Sequence, residues 1–222
     1  VGSKAFDGED TIAGQGNMAW GGALRLTWPA TAVADDRLAR KQDAVRFLLQ
    51  ASFGPTTASI NGLLDKPYST WLNEQMALPY QASYVPFVQA QYDRGAAYRP
   101  RGSSYTPTWV GQKFWETAAN SPDQLRKRMA FALHQIFMVS QAETNLYYQA
   151  RAYANYQDLL NKNAFGNYRA LLEDVALSPA TGIYLSHMRN RKEDAATGRM
   201  PDENFAREIM QLFSIGLHEL NN

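Results

Sequence analysis

From Arg40 onward the apolar positions of the chain recur with a helical period. Ala44, Phe47, Leu48 and Ala51 stand at i, i+3, i+4 and i+7, which predicts one buried helix face, and Gly54-Pro55 ends the run. Thr56 or Thr57 can cap a second, short helix carrying Ile60, Leu63 and Leu64 before Pro67. A third spans Tyr68 to Met76 with Trp71, Leu72 and Met76 inward. Short helices in direct succession, with no strands between them, predict a helical bundle.

Residues 77–108 interrupt this rhythm. Pro79, Pro86, Pro100 and Pro107, with Gly95 and Gly102, forbid a long helix, although Phe87 to Tyr92 fits a short one. The pattern predicts a loop anchored by aromatic residues such as Tyr80, Tyr84 and Tyr92. The next helix has the strongest start signal in the chain. Ser121 is placed as an N-cap, Pro122 suits the first turn, and Gln124 completes a capping box. After Arg126-Lys127-Arg128 comes an almost wholly apolar stretch, Met129 to Val139. A helix apolar all round is expected to be buried all round, so this one is predicted to be the central helix, with Met129, Leu133, Ile136 and Phe137 out of water.

Further helices are predicted over 146–160 and 167–176, the second with Leu171, Leu172 and Val175 inward. A turn of helix follows Ser178-Pro179, then a charged loop from Arg189 to Met200. Asp202 caps a last helix running from Glu203 to Ile215, and Gly216 is placed as its stop. The fold class expected is mainly α: a multi-helix bundle with a buried central helix, preceded by a glycine-rich segment with at most a short strand. Leu24, Leu26 and Trp28 alternate with polar or small residues there. Residues 1–37 are thus expected to be a linker or the tail of a preceding module, and 38–222 a helical domain. The chain starts at Val1 without a leader and stops at Asn222 directly behind a helix, so it is expected to be a piece of a longer protein.

Composition narrows the function classes. Twenty-two Lys and Arg against 21 Asp and Glu leave a net charge of +1, without the global field that draws in nucleic acid. No cysteine is present, which excludes disulfides, thiolate zinc sites and a cysteine nucleophile. The longest apolar run is broken by His134 and Gln135 and is far shorter than the roughly 20 residues of a membrane span.

Two places hold polar residues where core residues belong. His134 interrupts the apolar run and must find a hydrogen-bond partner there. On the last helix, Phe205, Ala206, Ile209, Met210, Leu212 and Phe213 form a wide apolar sector that leaves little room for Arg207 and Glu208 to face water. One reading is an exposed Glu203–Arg207 pair; the other draws Arg207 and Glu208 into a polar core network. His134, His187 and His218 have no metal-ligand spacing, no His-Glu-x-x-His occurs, and Gly14-Gln15-Gly16 lacks the third glycine of a dinucleotide loop. There is no nucleophile elbow and no phosphate-binding loop, so neither metal nor cofactor is expected.

The string Asp202-Glu203-Asn204-Phe205-Ala206-Arg207-Glu208-Ile209-Met210-Gln211-Leu212-Phe213-Ser214-Ile215-Gly216 resembles the bacterial family called domain of unknown function 1800. Asn163-Ala164-Phe165-Gly166-Asn167-Tyr168-Arg169, Leu177-Ser178-Pro179-Ala180 and the opening Arg46-Phe47-Leu48-Leu49-Gln50-Ala51-Ser52-Phe53-Gly54-Pro55-Thr56 resemble it too. The resemblance covers about residues 40–222 and the N-terminal half of the family domain. It implies a mostly helical fold in an exported, extracytoplasmic bacterial protein and supplies no activity. Position 202 is usually Asn in that motif, and position 211 is more often Glu than the Gln found here, which weakens any mechanism needing a second carboxylate beside Glu208.

These readings favour a cell-surface binding or assembly module whose partner is the rest of the same protein, another chain or a polymer. The alternative is an extracellular hydrolase acting on a polymer, with Arg207, Glu208 and His134 as its polar cluster.

Overall fold

A computed structural model of the chain describes residues 37–94 and 108–216. Eleven α-helices are found among them: α1 (Arg37–Ala51), α2 (Thr57–Leu64), α3 (Tyr68–Ala77), α4 (Tyr84–Asp93), α5 (Thr108–Asn120), α6 (Gln124–Ile136), α7 (Thr144–Tyr147), α8 (Ala150–Lys162), α9 (Tyr168–Ala176), α10 (Pro179–Tyr184) and α11 (Asn204–Met210). One π-helical turn, Gln211–Ile215, prolongs α11. The described residues form no strand beyond an isolated bridge between Asp194 and Arg199, as expected of a mainly α bundle. The glycine-rich segment and its short strand lie outside the described residues.

Local signals start several of these helices as the chain chemistry dictates. Thr56 and Ser59 close a reciprocal capping box on α2. Asn167 accepts the first amides of α9, and Ser178 caps α10 with Pro179 in the first turn. Pro86 does not keep α4 from starting at Tyr84, because it sits in the first turn, where its missing N–H has no partner to lose.

Two apolar clusters hold the bundle. The smaller joins α1 to α3: Ala44, Phe47, Leu48 and Ala51 are buried, with the Phe47 ring stacked on Tyr68 at 4.4 Å and edge-on to Trp71 at 5.2 Å. In the larger, α8 is the hub, packed against α4, α5, α6, α7, α9 and α10. Its Ala150, Tyr153, Ala154, Tyr156 and Leu160 are buried with Val88, Val110, Val139, Leu171 and Val175.

The central helix is therefore α8, which corrects the expectation placed on the segment from Ser121 to Val139. That segment is helical only from Gln124 to Ile136, and one side of it faces water: Phe131 is 37% exposed and Ile136 45%. Met129 and Leu133 are half-buried, while Phe137 is fully buried just past the helix end. The reason lies in which stripe turns inward. Asp123, Arg126, Lys127 and Ala130 hold the buried side, so charged residues occupy three of these four core-facing positions and the excess apolar residues spill to the surface. The capping box also forms differently. Ser121 hydrogen-bonds the Asp123 carboxylate, while the Gln124 amide donates to the carbonyls of Ala118 and Ser121.

Candidate functional site

The three residues singled out from sequence do not converge. Arg207 is exposed on α11, where it pairs with Glu203 one turn earlier, and Glu208 is partly exposed. The expectation that the apolar sector would draw them inward is corrected by the sector itself. Phe213 alone is buried, Phe205 and Ile209 are half-buried, and Met210 and Leu212 face out, so the polar stripe keeps its water. We expect Arg207→Met and Glu208→Gln each to change the unfolding free energy by less than about half a kcal/mol in a denaturant titration. A loss of about 3–5 kcal/mol in either would restore a buried pair.

His134 sits elsewhere, in the last turn of α6 against α8. Its Nε2 is 3.1 Å from the Tyr153 hydroxyl, and the rings of Tyr153 and Tyr156 both meet it edge-on at 6.2 Å. Burial holds the imidazole pKa below its ordinary value, against the opposing effect of a hydrogen bond to the Val139 backbone. His187 has a different partner, stacked on Phe205 at 4.1 Å, and His218 lies outside the described residues. Among the described residues no three His, Asp or Glu side chains come together as a metal site.

A denser polar cluster, absent from the sequence reading, is buried between α6 and α8. The Asp158 carboxylate accepts the amides of Ser83, Tyr84 and Val85 at 2.9, 3.2 and 2.8 Å, and so caps α4 from another helix. Lys127 donates to Asn161 Oδ1 at 2.9 Å and lies 3.5 Å from Asp123. Arg126 donates to the carbonyls of Asn161 and Leu78, with its guanidinium 4.8 Å from the Phe165 ring centre. Burial lowers the pKa of both cations, and nearby Asp123 offsets part of that. Burial, with the Asp158 charge beside it, drives the Tyr80 hydroxyl far above its usual range. A signal for this cluster was present in the chain. Ala150, Tyr153, Ala154, Gln157, Asp158 and Asn161 lie on one stripe at i, i+3, i+4, i+7, i+8 and i+11, so Asp158 shares the face that buries Tyr153.

This cluster is closed to chemistry. Two buried cations face two buried carboxylates, and Asp158 accepts from three backbone amides and from the Tyr80 hydroxyl. The cavity above Lys127 and Asn161, roofed by Phe53, Phe114 and Phe131, holds about 10 Å³, the space of one water molecule. A larger recess of about 570 Å³ between α1 and α2 is lined by Lys41, Gln42, Val45, Arg46, Thr57, Ile60 and Asn61, a wall without an acid or a histidine to act as a general base.

Residues 46–220 match the family described as protein of unknown function (DUF1800). The chain belongs to the DUF1800 family. No curated protein and no solved structure matches it. The DUF1800 span takes in the C-terminal end of α1 and all of α2 to α11, so the buried cluster, His134 and the α11 residues are all parts of the family domain. None of its described helices is long and apolar enough to cross a membrane.

Proposed function

We propose that this DUF1800 domain is a binding or assembly module working outside the cytoplasm, which docks another protein chain through α11 and the π-helical turn behind it. The observation that carries the reading is the state of the large apolar residues there. Met210 is 62% exposed, Leu212 50% and Ile215 77%, although the element is amphipathic enough to seat Phe213 in the core. Exposed apolar surface of this kind marks contact sites more often than idle surface. A π-helical turn closed by the Gly216 amide on the Gln211 carbonyl adds to the reading, since such turns gather at functional sites. The closed buried cluster and the separation of His134 from Arg207 and Glu208 count against the hydrolase alternative. The extracytoplasmic setting rests on the likeness of the Asp202–Gly216 string to exported proteins.

Photo-crosslinking tests it. A photoreactive residue at 210, 212 or 215 of the full protein in its native cells is expected to give one discrete adduct with another protein, and a control at exposed Glu74 none. Crosslinks confined to the same polypeptide, or none at all, would end this reading. A Glu208→Gln protein that melts like the parent yet loses a polymer-degrading activity would put the hydrolase in its place.

A further inference from the structure

In the seam joining α6, α8 and the π-helical turn, His134 is the group that titrates nearest neutral pH, and it is partly buried. His134 has both ring nitrogens engaged, with Nε2 facing the Tyr153 hydroxyl and the Val139 backbone left to Nδ1. The network assigns the neutral ring: Nδ1–H donates to the backbone and Nε2 accepts from Tyr153. One layer further on, the Tyr156 hydroxyl donates to the Phe137 carbonyl, and the Phe137 ring lies 5.0 Å from Phe213 and 5.6 Å from Tyr168. The Tyr168 hydroxyl closes the series on the Phe213 carbonyl. Phe213 is the buried anchor of the π-helical turn, so a continuous set of contacts runs from His134 to that anchor.

We propose that His134 is an acid-sensitive latch, whose protonation loosens this aromatic seam and with it the seat of α11 and its π-helical turn. A proton on Nε2 sets a donor against the Tyr153 hydroxyl, which must turn and give its hydrogen to another acceptor. The surrounding rings offer the cation little, because the Tyr153 and Tyr156 ring centres lie 6.2 Å from its own, outside the about 6 Å reach of a cation–π contact. Among the described residues no carboxylate answers it either. On the elements packed against α6, Asp43 of α1 pairs with Arg46, Glu74 of α3 with Lys66, Glu116 of α5 with Lys113, and Asp158 of α8 is held by the α4 amides. The titratable groups that do face the seam are the phenols of Tyr153, Tyr156 and Tyr168, all with pKa values raised by burial. The charged residues of α6 itself, Arg126, Lys127 and Arg128, are cations. Burial lowers the His134 pKa, against the opposing hydrogen bond to the Val139 backbone.

The sign follows. The unfolded chain takes up the proton first, so the stabilisation is complete above the ordinary histidine value of about 6.5 and is lost as pH falls below it toward the lowered folded value. The latch rests on the proposed docking role of α11 for its use, not for its chemistry. Amide hydrogen exchange on the full chain, corrected for intrinsic rates, tests it between pH 7.5 and pH 5. Protection of residues 204–215 is expected to fall about tenfold for each unit by which the pKa is lowered, while α1 to α3, held by their own cluster, keep theirs. His134→Gln, which can accept and donate without charging, should remove the response. His187→Gln, at the ring stacked on Phe205, should leave it intact. Unchanged protection, a response that survives His134→Gln, or one abolished by His187→Gln would overturn the latch. Should His134→Gln not fold, NMR titration of the unmodified protein decides. The His134 ring and the α11 amides titrating together below about 6.5 would support it, and separate titrations would refute it. Crosslinking from 210 or 215 is read at neutral pH, so the docking role fails or stands independently.

Discussion

Asp158→Ala is expected to lower the unfolding free energy by about 3–5 kcal/mol, the range for breaking a buried charged network by removing one partner. Two losses combine. The first is the cap of α4: Ser83, at its N-cap, makes no side-chain cap bond, so the amides of Ser83, Tyr84 and Val85 depend on a carboxylate some 75 residues away in sequence. The second is charge balance, because Arg126 and Lys127 would then face Asp123 alone. Asp158→Asn keeps one accepting oxygen and is expected to lose less, about 1.5–3 kcal/mol, the worth of hydrogen bonds to a charged group. Urea titrations with unchanged slopes would measure both. A loss under about 1 kcal/mol for Asp158→Ala would mean that water replaces the carboxylate and that the cluster is not closed.

The contrast between what the chain disclosed and what it concealed follows from the range of the interactions. Helix faces and caps are local, so Ala44, Phe47, Leu48 and Ala51 could be read as one buried face, Ser178 as a cap and Gly216, with φ of +87°, as a stop. The likeness of Asp202–Gly216 to one family was equally legible and led to the DUF1800 membership. Burial was not, because it depends on neighbours distant in sequence. The apolar stretch Met129–Val139 looked like a core helix, but its inward stripe begins with Arg126 and Lys127, whose partners Asn161 and Leu78 lie on other segments. The same blindness hid the cap that Asp158 places on α4, and it made the apolar sector of α11 look buried when Phe213 alone is buried and Phe205 and Ile209 pack on the core half-exposed. The helix Thr108–Asn120 was also missed, since it follows a proline-rich stretch and buries only Val110, Thr117 and Ala118.

Phe137→Ala is expected to cost about 3–5 kcal/mol, more than the truncation of any apolar residue within α6 itself. Phe137 is fully buried just past the end of α6, where its N–H closes the helix on Leu133 at 2.8 Å and its carbonyl takes the Tyr156 hydroxyl. Its ring fills the space between Tyr168 and Phe213, so truncation leaves a cavity bounded by α8, α9 and the π-helical turn. Those walls are held by their own hydrogen bonds and cannot close on the gap, which places the cost in the upper part of the range for large-to-small changes. Leu133 is half-buried and Ile136 45% exposed, so Leu133→Ala should cost about 1–2 kcal/mol and Ile136→Ala under about 1 kcal/mol. This order separates the observed seam from a helix buried on every side, in which Ile136 would be as costly as Phe137. Because the same ring links His134 to the anchor of α11, Phe137→Ala should also free residues 204–215 to exchange at neutral pH. Equal losses for Ile136→Ala and Phe137→Ala would place the core around α6 after all and remove the physical basis of the seam.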